Sequence, residues 1–161
     1  MKLLIYNKPL YVTSIVDGSE QRVGAALNTE TKINNYSAKK AYPSITKLVF
    51  CSSIGKIQYL SKSRPDSRND QSMMYEVLDK FDKTYEYIMG DKGDEKEADN
   101  RLKSIRIIIE NVFAQIKKFS ITTHTFRFKN KKKSTHILDI HHKIWSIIAF
   151  LVNSYVEENY K

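Results

Sequence analysis

The clearest periodic signal lies in residues 104–119, SIRIIIENVFAQIKKF. Ile105, Ile109, Val112, Phe113 and Ile116 recur at spacings of three and four, which lays one apolar stripe along an amphipathic helix. Glu110 stands at the border of that stripe, roughly 110° from its centre, beside Arg106 and Lys117. An acid there can pair with Arg106 one turn away, worth about 0.3–0.5 kcal/mol. It can also reach past the edge of the core into whatever the helix packs beside.

Upstream, the pattern shortens to β-branched runs. YVTSIV (11–16) reads as a strand that ends at Asp17-Gly18-Ser19, where a carboxylate followed by glycine sits at a sheet edge or in a plain turn. Residues 20–35 are polar and aperiodic and read as a loop. SITKLVFC (44–51) and IQYLS (57–61) read as two strands joined by a hairpin turn at 52–56 containing Gly55. SRPDSRND (63–70) is a loop whose Asn69 or Asp70 can cap a helix with Met73, Met74, Val77, Leu78 and Phe81 on one side. YEYIM (85–89) is a fourth strand running into Gly90-Asp91-Lys92-Gly93, so a second Asp stands just past a strand. DEKEADN (94–100) reads as the acidic approach to the Glu110 helix, where negative charge suits the helix dipole. Residues 119–135 read as irregular, and a last helix, about 136–156, carries Ile137, Ile144, Ile148, Leu151 and Tyr155 along one side.

Three strands, a helix, a fourth strand and further helices, with acids after strands one and four and on a later helix, is the order of an RNase H-like domain. The expected fold is therefore α/β: an RNase H-like mixed sheet flanked by helices, with a basic C-terminal helical extension. No internal repeat or Gly/Pro linker divides the chain, so 1–161 is read as one domain, with a core over 1–119 and a basic segment and helix over 120–161.

Composition places this among globular proteins, with 41% hydrophobic and 28% charged residues. The charge is uneven: residues 1–100 carry 15 Lys/Arg against 14 Asp/Glu, whereas 101–161 carry 12 against 4. A basic end of this kind fits a polyanion, because cationic clusters gain affinity for phosphates by releasing counterions. Lys129, Lys131, Lys132 and Lys133 form its densest cluster. The single Cys51 permits no internal disulfide, which fits a reducing compartment. The longest apolar run, IWSIIAFLV (144–152), is too short to span a bilayer, and MKLLIYNKPLYV does not read as a signal peptide. His136, His141 and His142 lack a Cys or acidic ligand at a matching spacing, so they read as solvated or helix-face residues, and Trp145 reads as packing.

Four segments in order resemble the DDE transposases of the Harbinger type and their bacterial insertion-sequence relatives. IVDGSEQ resembles the first-acid segment, an apolar strand ending in Asp-Gly-Thr or Asp-Gly-Ser. YSAKKAYPSITKLVFCSSIGKIQYLSKSRPDSRND resembles the block with Tyr-Ser-Gly-Lys-Lys, a hairpin and a Pro-Gly-Ser-x-x-Asp turn; GDKG resembles the second-acid segment, and SIRIIIEN the third. The resemblance implies that Asp17, Asp91 and Glu110 are the catalytic, metal-binding triad of a DNA endonuclease and strand-transfer protein. Carboxylates of this kind suit Mg²⁺ or Mn²⁺, and two such ions suit phosphodiester chemistry. It also implies DNA as partner, contacted by Lys39, Lys40, Arg106, Lys117, Lys118 and the 129–133 lysines. It leaves room for a homo-oligomer and gives no role to a membrane or a small-molecule substrate. The expected location is the bacterial cytoplasm at the nucleoid, or a eukaryotic nucleus. Asp91 and Glu110 are 19 residues apart, closer than in the family, and the family's N-terminal helix-turn-helix region is not seen. Both departures point to a shortened copy, and the alternative reading is an inactive relic that only binds DNA.

Overall fold

A single 15-residue strand, β2 (Lys8–Arg22), is the spine on which the other elements are arranged. The computed structural model describes residues 2–5, 8–24, 36–37, 42–65, 70–81, 87–90, 100–127 and 134–159. Strand β1 (Lys2–Ile5) folds back antiparallel onto the first residues of β2. Further along, β4 (Tyr42–Cys51) pairs antiparallel with β2 from Ile15↔Cys51 to Arg22↔Ser44. The far edge of β4 is shared by the two-residue strand β3 (Tyr36–Ser37), by β5 (Ile57–Leu60) and by β6 (Arg64–Pro65), all antiparallel. On the other edge of β2, β7 (Tyr87–Gly90) runs parallel, from Val12↔Tyr87 to Val16↔Gly90. The sheet is thus mixed, in the order β7–β2–β4–β5 through its middle.

The hairpin between β4 and β5 forms as its sequence predicts. Gly55 adopts φ +79°, and its N–H closes the turn onto the Ser52 carbonyl at 3.0 Å. The first strand differs from expectation. Instead of ending at Asp17-Gly18, β2 continues to Arg22, because β4 supplies a partner for every residue from 15 to 22. A turn dipeptide is overridden where an adjacent strand satisfies its backbone.

The two faces of the sheet bury different helices. Val16, Leu48 and Phe50 face α1 (Asp70–Leu78), which contributes Met73 and Val77. Val12, Ile15, Val49, Cys51 and Ile57 face α2 (Asn100–Lys117), the expected amphipathic helix, through Ile109, Val112, Phe113 and Ile116. Cys51 is sealed in this core, and burial pushes its thiol up to about 12, so it is chemically quiet. After α2 the chain is not simply irregular: a single turn, α3 (Ser120–Thr123), leads to a parallel bridge between Phe126 and Val23.

Helix α4 (Ser134–Asn159) closes the same face as α2. Its inward side carries Ile137, His141, Trp145, Ile148, Ala149 and Val152, whereas Leu151 and Tyr155, expected inside, are exposed. The helix is apolar almost all round, so periodicity alone left its rotation open. Polar residues fix that rotation. Gln21 Nε2 donates to the carbonyls of Ile121 (2.6 Å) and His124 (2.8 Å), which turns its Oε1 toward α4 as the acceptor for His141 Nε2–H (3.0 Å) and, at a longer 3.4 Å, Trp145 Nε1–H. His141 is therefore the neutral Nε2–H tautomer, and its Nδ1 accepts from the Ser63 hydroxyl at 2.7 Å. Lys47, wholly buried on β4, donates to the Ser61 carbonyl (2.6 Å) and to His142 Nδ1 (2.7 Å). Farther along, Asn153 bonds both backbone groups of Ile57, at 2.7 and 2.8 Å, and so covers the outer edge of β5. His141 is thus buried and fully bonded rather than solvated, while Trp145 is packing as expected.

Replacing Gln21 with Ala would orphan two carbonyls, the His141 N–H and the Trp145 N–H at once. A loss of about 3 kcal/mol in urea unfolding is expected, from penalties of roughly 1–3 kcal/mol per stranded buried group that do not fully add. The cluster also sets a pH dependence. Burial and the nearby Lys47 hold His141 down to about 3 from 6.5, so the unfolded chain binds the extra proton between those values and stability falls as pH drops through that window. Burial lowers Lys47 from 10.5 to about 7, so stability rises with pH above 7. Melting temperature followed from pH 4 to 9 should climb throughout, and Lys47→Met should flatten the climb above pH 7 while keeping most of the acid limb. An unchanged slope above pH 7 in that variant would remove Lys47 as its cause.

Candidate functional site

Asp17 occupies the point where β2 changes surroundings. On one edge it pairs with Val49 of β4; on the other, the described parallel pairing with β7 ends one residue earlier, at Val16↔Gly90. Residues directly opposite across two strands share a face, and Val49 lies in the core under α2 and α4. Asp17 therefore stands on the α2 side of the sheet, half-buried, with one carboxylate oxygen accepting the Gly18 N–H at 2.6 Å. Gly90 is the residue before Asp91, so the sequence neighbours of the two aspartates are register partners on adjacent parallel strands. Asp91 itself lies outside the described residues.

Glu110 projects from the middle of α2, one residue after the buried Ile109. Its side chain is 60% exposed and accepts from Arg106 Nε at 3.2 Å. The pair one turn apart is thus formed, and Arg106, expected at DNA, also keeps a 60% exposed side chain. An exposed pair of this type is worth only about 0.3–0.5 kcal/mol, so it gives way readily to a stronger ligand of either partner. Lys117 and Lys118 are exposed at the end of α2, with their ammonium groups 5.7 Å from the Phe113 ring centre and 5.8 Å from that of Tyr155. Lys39, Lys40, Lys129, Lys131, Lys132 and Lys133 lie outside the described residues. So does the side chain of Asp70, whose backbone opens α1.

Asp17 and Glu110 share the α2 side of the sheet, but among the described residues no group of three His, Cys, Asp or Glu side chains could hold a metal ion. The described donors are nevertheless of a type that suits one: hard carboxylate oxygens, one set on a rigid strand and one held only by a weak surface pair. The titratable cluster that sequence reasoning missed, Lys47 with His141 and His142, is of the opposite character. It is cationic or neutral and bonded to backbone and amide groups, so it holds α4 in place rather than ligating a cation. Its signal in the sequence was the inward spacing of His141, Trp145 and Ile148, three and four apart.

No helix among the described residues is long and apolar enough to cross a membrane. No curated protein and no solved structure gives a match to the chain. A family profile, described as DDE superfamily endonuclease, matches residues 16–153, from one residue before Asp17 to the last turns of α4. The match takes in the second half of the spine strand from Val16, the strands β4, β5 and β7, helices α1 and α2 and most of α4. The order β7–β2–β4–β5, with helices on both faces, is consistent with an RNase H-like sheet. This chain belongs to the DDE superfamily endonucleases.

Proposed function

We propose that the protein is a metal-dependent DNA endonuclease with the strand-transfer chemistry of a transposase, in which Asp17, Asp91 and Glu110 hold the metal and Arg106, Lys117, Lys118 and the lysines at 39–40 and 129–133 contact DNA. The observation that carries this reading is the parallel register Val16↔Gly90, which supports Asp17 and Asp91 as neighbours on one sheet edge, with α2 over the same side. Strand β2 gives Asp17 a fixed backbone, and the Gly18 N–H holds one of its oxygens. Glu110 is free to exchange its arginine for a cation at a cost of about half a kcal/mol. Two divalent ions, when bound, supply activation of the attacking oxygen and stabilisation of the leaving oxygen. The basic residues screen phosphate charge, so binding should weaken steeply with salt.

A second reading, a DNA-binding relic without cleavage, draws on the exposed Arg106–Glu110 pair, an arrangement that ordinary surface helices also adopt. The two readings part on a nicking assay. Supercoiled plasmid with Mn²⁺ or Mg²⁺ should be nicked by the parent chain, and Asp17→Asn and Glu110→Gln should each lower the rate by at least about 100-fold, the equivalent of several kcal/mol of lost charge stabilisation. Equal rates in parent and variants would trace the cleavage to a contaminant. Absent cleavage with salt-sensitive DNA binding would establish the relic.

A further inference from the structure

The outward side of α4 carries an apolar stripe that no other element among the described residues covers. Ile147 is 61% exposed and Phe150 70%, and Leu151 and Tyr155 flank them. At 100° per residue, Lys143, Ile147, Phe150, Ser154 and Glu158 fall within about 80° of one another, opposite the side that holds His141, Trp145 and Val152 against the sheet. Lys143 and Glu158 are both exposed and stand at the two ends of this line. Ser146 and Ser154 return their hydroxyls to the helix, to the carbonyls of His142 (2.9 Å) and Phe150 (3.1 Å). These two small residues therefore leave low points in the stripe and no unmet polar group.

We infer that this stripe is a docking surface for a second copy of the same chain, packed antiparallel along α4. The pattern is self-complementary only in that direction. A two-fold axis between Phe150 and Leu151 sets Lys143 against the partner's Glu158, Ile147 over the partner's Ser154, and Phe150 beside the partner's Leu151. A parallel pairing would instead stack lysine on lysine and glutamate on glutamate. Charged ends of opposite sign thus select both the partner and the direction.

Ile147, Phe150, Leu151 and Tyr155 are all exposed on one helix, and contiguous exposed apolar side chains of this kind mark interaction surfaces. Two such stripes rimmed with polar atoms make a small interface, so the expected association is weak and concentration-dependent. This inference is independent of the nuclease reading, because none of its residues belongs to the acid site.

The test is sedimentation equilibrium from about 1 to 200 μM. The parent mass should rise from 18.8 kDa toward twice that value over this range. Phe150→Asp should remain monomeric, with the helical circular dichroism of the parent. Lys143→Glu should weaken association at least about tenfold, and the double exchange Lys143→Glu with Glu158→Lys should recover it to within about threefold of the parent. A parent that stays monomeric throughout, or a dimer indifferent to Phe150→Asp, overturns the inference. A double exchange no tighter than Lys143→Glu alone overturns the antiparallel arrangement.

Discussion

Strand β2 is hydrogen-bonded on both edges, antiparallel to β4 and parallel to β7, and every functional claim depends on that double pairing. A strand with one free edge can slip, and a slip of one residue would carry Asp17 to the α1 side of the sheet. Pairing on two sides, with Ile15 and Val16 buried in different cores, fixes the register from both faces at once. The parallel partner is the costlier one to form, since it needs a long crossover, here the passage through the β4–β5 hairpin and α1. That crossover is also what brings two distant stretches of chain to the same edge.

The second constraint is the polar contact between the sheet and α4. Gln21, His141, Ser63, Lys47, Ser61 and His142 satisfy one another in a region where hydrophobic packing alone would leave the helix free to rotate. Buried polar groups are costly unless every member is bonded, and that cost makes one rotation of α4 preferable to its neighbours. The consequence for function is indirect: α4 and α2 share one core, so whatever fixes α4 also steadies the helix that carries Glu110.

The regular elements were largely legible because local patterns and tertiary contacts agree. Ile109, Val112, Phe113 and Ile116 are the buried side of α2, as their spacing states, and Gly55 makes the hairpin its position predicts. Three features were not legible. Asp17-Gly18 looks like a strand end, yet the neighbouring β4 keeps it extended. The rotation of α4 was hidden by apolar residues on all sides, with a buried His141 and Gln21 deciding it from 120 residues apart. Lys47 in the middle of SITKLVFC looks like a surface residue of an alternating strand, and its burial follows only from the helix lying over it. The family itself was legible, because Asp17, Asp91 and Glu110 sit in segments whose order is as informative as their residues.

Convergence of the three acids is the central claim, and it can be measured without asking the protein to cut DNA. Mn²⁺ added in substoichiometric amounts to ¹⁵N-labelled protein broadens amide signals near its binding site. Gly18, Gly90 and Asn111, each next to one acid in sequence, should broaden together, and Asp17→Asn should protect all three. Broadening that leaves any one of them sharp, or that persists unchanged in the variant, would mean that the acids do not form one site.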